Sequence, residues 1–225
     1  MGLYAQDCGR ACTSANTTIP AVYYTCPSSG CAPAQLAVNR QLQNPVGLFP
    51  QDNNGVVIIL PSIADAGQVS VAGSMLFGIG TQSNNTLNGA RIQTPDSSGN
   101  FSTTFSGVKY SKSFIDSGSN GLFFLDTATT KLPACSSQAK GFYCPTAQTS
   151  FTAITTGANG VASSIGFNIA NALTLFGSPS NAYNNLGGSQ TNVFDWGLPF
   201  FFGRNVFVAL EGASTAGGTG PYWAY

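Results

Sequence analysis

Residues 113–125 read Ser-Phe-Ile-Asp-Ser-Gly-Ser-Asn-Gly-Leu-Phe-Phe-Leu. An apolar run enters a turn at Asp116, and a second apolar run, Leu122-Phe123-Phe124-Leu125, leaves it. Both runs need burial, so the turn must join two strands of one core. Gly118 and the short hydroxyls of Ser117 and Ser119 suit such a turn, because small polar side chains bond to nearby backbone. The plain alternative is a β-hairpin turn with a solvated Asp. What that alternative leaves unexplained is the grip of core residues on both sides of one carboxylate.

The rest of the chain has the same grain. Residues 1–44 are rich in loop signals, with a short Val22-Tyr23-Tyr24 segment between Asn16-Thr17-Thr18-Ile19-Pro20 and Cys26-Pro27-Ser28-Ser29-Gly30-Cys31. Residues 44–61 read as a hairpin, since Asn54-Gly55 is a strong turn signal ahead of Val56-Val57-Ile58-Ile59-Leu60. Gly73 to Gly80 forms another strand. Residues 90–112 alternate with a period of two around a turn at Pro95 to Asn100, with Phe101, Thr103 and Phe105 on one face. Residues 161–183 are expected to be two short strands with a turn near Asn171. Asp195 to Leu210 is the most apolar stretch, and Gly217-Gly218-Thr219-Gly220-Pro221 reads as a loose tail. Many short strands with Gly, Pro and Asn turns and no helical period argue an all-β fold.

Composition narrows function by exclusion. Eight basic and eight acidic residues balance, charged residues are 7% of the chain, and there is no histidine. No basic surface is available for nucleic acid. The absence of His removes Ser-His-Asp and Cys-His catalysis and His-based metal sites. With 43% hydrophobic residues over 225 positions, a substantial core is expected, in one large domain or two small ones. No apolar run approaches the about 20 residues that span a bilayer. Six cysteines fall in three sequence pairs, Cys8 and Cys12, Cys26 and Cys31, Cys135 and Cys144. Their even count and spacings favour disulfides in an oxidising compartment over zinc. Cys135 and Cys144 suit local pairing, while pairing among the other four is open.

The segment Phe114-Ile115-Asp116-Ser117-Gly118-Ser119-Asn120-Gly121 resembles the catalytic loop of the pepsin-type aspartic peptidases. The resemblance continues through Ser164-Ile165-Gly166-Phe167-Asn168-Ile169, Leu173-Thr174-Leu175-Phe176 and Ser178-Pro179-Ser180-Asn181-Ala182-Tyr183. It ends on Asp195-Trp196-Gly197-Leu198-Pro199-Phe200-Phe201-Phe202-Gly203-Arg204. The last segment is similar to the apolar-Gly motif that packs on the family's catalytic loop, with Leu198 where the family usually has Asp. The chain also resembles a bacterial family of exported proteins, a domain of unknown function related to those peptidases.

The resemblance implies a pepsin-like (acid protease) lobe from a truncated bilobal β-barrel architecture. Residues 1–80 would be the end of a first lobe and the interlobe strands, and residues 81–225 a second lobe. Asp116 would be half of a two-Asp dyad that activates water for peptide hydrolysis. Ser117 and Ser119 would brace it, and Gly118 would permit close backbone approach. No metal or cofactor is implied. The substrate would be a peptide or protein, and the second Asp would come from a missing first lobe or a second copy of the chain. No second Asp-Thr/Ser-Gly occurs here. Asp7, Asp52, Asp65, Asp96, Asp126 and Asp195 have the wrong neighbours, so this fragment alone is expected to be inactive. The alternative is a non-catalytic exported envelope or binding protein that keeps the fold. Either reading places the protein outside the cytoplasm (periplasmic, cell-envelope or secreted), with an export signal expected upstream of Met1. A weaker third reading is carbohydrate binding through Tyr222, Trp223 and Tyr225.

Overall fold

The computed structural model describes residues 2–14 and 20–225, so the loop expected at residues 16–19 lies outside the described residues. The chain is predominantly β. In order, the strands are β1 (Tyr24–Thr25), β2 (Ala32–Pro33), β3 (Gly55–Leu60), β4 (Ser74–Phe77), β5 (Ile92–Gln93), β6 (Phe101–Phe105), β7 (Val108–Ile115) and β8 (Leu122–Leu125). They continue as β9 (Thr149–Thr156), β10 (Ala162–Ile169), β11 (Gly187–Gly188), β12 (Gln190–Trp196), β13 (Arg204–Ala209), β14 (Ser214–Thr215), β15 (Gly218–Thr219) and β16 (Tyr222–Ala224). Short helices α1 (Thr127–Thr130), α2 (Ala172–Phe176) and α3 (Leu198–Phe201) punctuate them.

A seven-stranded sheet has the order β10-β9-β6-β7-β12-β8-β11, and a five-stranded sheet the order β4-β3-β13-β16-β5. β3 is apolar at every position after Gly55, which fits its place inside a sheet between β4 and β13. The long sheet curls into a nearly closed, barrel-like form around aromatic side chains. Phe124 of β8 is 1% exposed and touches the rings of Phe105, Tyr143, Phe151, Phe167 and Phe194. Full burial of one such ring contributes about 1.5–3 kcal/mol, and this cluster fixes the sheet from which the Asp116 turn projects.

Three expectations need correction. The strand expected at Leu173-Thr174-Leu175-Phe176 is helix α2, because the Asn171 side chain accepts from the Leu173 and Thr174 amides and caps a helix start. The hairpin expected over residues 44–61 does not form. Pro45–Leu48 is a 3-10 turn capped by Asn44, and β3 pairs instead with β4 and β13. The expected loose tail is ordered structure. β15 pairs with β14, and β16 lies between β13 and β5. Tyr222 and Trp223 are buried core residues, which removes them as carbohydrate-stacking platforms.

All three cysteine pairs are closed locally as disulfides, Cys8–Cys12, Cys26–Cys31 and Cys135–Cys144. Such bonds persist in oxidising surroundings, which suggests an extracytoplasmic environment. No helix among the described residues is long and apolar enough to cross a membrane.

Candidate active site

The Asp116 turn joins β7 to β8, and β12 threads between those two strands. β12 runs parallel to β7, with Phe194, Asp195 and Trp196 opposite Ser113, Phe114 and Ile115. It runs antiparallel to β8, with Asp195 opposite Phe123. The Asp116 amide donates to the Trp196 carbonyl at 3.1 Å, which ties the turn to the end of β12.

Within the turn, the short polar residues lie around the Asp116 carboxylate. The Gly118 amide donates to Asp116 Oδ1 at 2.8 Å, and Ser119 Oγ lies 3.2 Å from Asp116 Oδ2. Oδ1 therefore has a backbone donor, and Oδ2 has a hydroxyl within hydrogen-bond reach, both from the following three residues. The Ser119 amide closes the turn on the Asp116 carbonyl at 3.3 Å. Asp116, Ser117 and Ser119 are half-buried, and Gly118 is exposed. The Ser119 hydroxyl lies within hydrogen-bond reach of the carboxylate, and Ser117 follows Asp116 directly on the turn.

Beyond β12 the chain presses on the same turn. A Cβ on Gly197 would stand 2.1 Å from the Gly121 carbonyl oxygen and 2.7 Å from that of Ser119, so only glycine fits. Its φ of −74° is ordinary, and close approach alone sets the requirement. The Leu198 amide then donates to the Ser119 carbonyl at 2.7 Å. Fastening at position 198 is thus a backbone bond that does not depend on the side chain. Arg204, further along, donates to the Phe200 carbonyl and stacks over the Phe200 ring at 4.7 Å, and burial lowers its pKa.

The residue that sequence reading set aside is Asp195. Strand alternation places Phe194 and Trp196 on the aromatic core face and Asp195 on the other, between Phe114 and Phe123. There it is 6% exposed, and its Oδ2 lies 2.5 Å from Ser119 Oγ. Its Oδ1 is buried without a hydrogen-bond partner. Burial pushes the Asp195 carboxyl up to about 6, the Ser119 hydrogen bond pulls it back, and the charge of Asp116 adds to the rise. Its neighbours Phe194 and Trp196 hid it in the sequence. The one available signal was a carboxylate inside the chain's most apolar stretch.

A cleft of about 300 Å³ opens beside the turn, lined by Asn120 and Leu198 on one side and Phe176, Ser180 and Tyr183 on the other. A larger pocket of about 840 Å³ lies at the N-terminal segment by Tyr4, Arg10 and Glu211, and neither pocket is lined by Asp116 or Asp195. No group of three or more metal-ligating His, Cys, Asp or Glu side chains occurs among the described residues.

No curated protein and no solved structure matches the chain. The family model described as "Protein of unknown function (DUF3443)" matches residues 1–225, and the chain belongs to that family.

Proposed function

We propose that the chain carries one half of a water-activating peptide hydrolase of the aspartic-peptidase type. The observation that supports this most is the hold on Asp116, whose Oδ1 accepts from the Gly118 amide and whose Oδ2 faces the Ser119 hydroxyl. A carboxylate fixed this way keeps lone pairs aimed at one point, where a water can be oriented and deprotonated. Asp116 acts as the base, and a second carboxyl on the far side of the substrate supplies the acid. That partner comes from another lobe or from a second copy of this chain, on a pepsin-like scaffold. The chemistry uses no metal or cofactor. The three disulfides support an exported protein acting in the periplasm, cell envelope or medium.

A second reading is a non-catalytic exported binding protein that uses the cleft beside the turn. It is favoured by the single Asp-Ser-Gly sequence in the chain. Peptide cleavage between pH 3 and 7 separates the two. The longest in-frame protein containing this chain is compared with its Asp116→Asn variant, with and without a statine-type transition-state mimic. The hydrolase reading expects the substitution to lower the rate by at least about 100-fold and the mimic to block what is measured. Equal rates in both proteins remove Asp116 from the chemistry.

A further inference from the structure

Ser119 has one hydroxyl hydrogen and two claimants. Its Oγ lies 2.5 Å from Asp195 Oδ2 and 3.2 Å from Asp116 Oδ2, and it can donate to only one of them at a time. If both carboxylates are ionised, one is left without this donor and two like charges face each other across a hydroxyl. If Asp195 holds a proton, the arrangement is complete. Its O–H donates to Ser119 Oγ, and Ser119 donates onward to Asp116 Oδ2. The partnerless, buried Oδ1 of Asp195 is compatible with a neutral acid and costly for an anion.

We propose that Asp195 is a positioning residue that holds a proton in a chain from its carboxyl through Ser119 to Asp116, and that its ionisation turns the Ser119 hydroxyl away from Asp116. The proton leaves to solvent, no covalent bond to carbon changes, and the Ser119 hydrogen swings from one carboxylate to the other. Asp116 is therefore braced on both oxygens on the acid side and on one oxygen only on the alkaline side. The raised pKa of Asp195 puts the change at about 6.

The surroundings leave Asp116 as the charge that matters. On β7, Phe114 faces Asp195, and Lys109 and Lys112 are exposed. On β8, Phe123 faces it, and Asp126 beyond that strand caps α1 through the Thr129 amide. α3 has no ionisable residue, and Arg204 of β13 is engaged with Phe200. The consequence for hydrolysis rests on reading Asp116 as the water-activating group. The proton sharing itself does not.

Carboxyl carbon NMR of the seven aspartates tests it directly, with Asp195→Asn and Asp116→Asn assigning the two signals. The expected result is an Asp195 titration with a midpoint of about 6 and a displacement of the Asp116 signal at the same midpoint. Ser119→Ala should shrink that displacement and Ser119→Thr, which keeps a hydroxyl, should restore it. Asp195→Asn, whose amide donates to Ser119 at every pH, should abolish it. Asp195 titrating among ordinary aspartates near pH ~4 overturns the proposal, as does a displacement unchanged by Ser119→Ala. Intact titration without peptide cleavage removes the hydrolase reading and sustains the proton sharing. Cleavage with an ordinary Asp195 does the reverse.

Discussion

Two buried polar clusters in this molecule solve the same problem differently. At the seam between the sheets, Gln93 and Thr155 are both 0% exposed. Gln93 Nε2 donates to Thr155 Oγ1 at 3.1 Å and to Ser163 Oγ at 3.2 Å, and Gln93 Oε1 accepts from the Tyr225 hydroxyl at 3.1 Å. Tyr225 and Thr155 also share a 2.6 Å bond, and burial pushes the Tyr225 phenol up to about 12, so the cluster is neutral at any ordinary pH. At the Asp116 turn, two carboxylates depend on one hydroxyl and a buried oxygen has no partner. The first cluster is what a fold needs to bury polar atoms without loss. The second is destabilising by ordinary rules, and perturbed, incompletely satisfied acids concentrate where chemistry is done.

Substitutions can break this contrast. The largest effect is expected at Gly197→Ala, where the new methyl meets two carbonyl oxygens with no flexible side chain to yield. It should cost about 3 kcal/mol or more in chemical denaturation and disturb the Asp116 and Asp195 carboxyl signals together. A smaller loss, about 2 kcal/mol, is expected for Gln93→Leu, which strips partners from Thr155, Ser163 and Tyr225. That loss should be the same at pH 4.5 and pH 8, because none of these groups titrates between them. A pH-dependent loss at Gln93 would erase the distinction between the clusters.

The sequence announced the parts of this architecture that local chemistry decides. The gripped turn at Asp116, the alternation through Phe101, Thr103 and Phe105, and the apolar β3 all carry their period in plain view. Where a single residue overrode the pattern, the pattern misled. Asn171 turned an expected strand into α2 by capping, and Asn44 with Pro45 did the same to one arm of an expected hairpin. The C-terminal segment is composed like a tail, yet long-range pairing with β13 and β5 makes β16 a central strand, and no local signal encodes that. The turn formed by Asp116, Ser117, Gly118 and Ser119 stood out as a candidate because its residues are contiguous. Asp195 was not, because its meaning depends on a strand 76 residues from Ser119 passing between β7 and β8.

The most direct test of the contrast is the unfolding free energy of the wild-type chain and of Asp195→Asn between pH 4.5 and pH 8. Asp195 has a folded value of about 6, above its unfolded value of about 4, so the folded protein holds this proton more tightly. Its contribution is fully favourable below the unfolded value, is lost as pH rises through about 6, and is then constant. Asp126, whose carboxylate is held below the usual range by hydrogen bonding to Thr129, titrates on the acid side of this window. Wild type should therefore lose up to about 2 kcal/mol across the window, and the variant should stay nearly flat. Parallel curves for the two proteins would contradict a buried, proton-holding Asp195 and with it the account of the site.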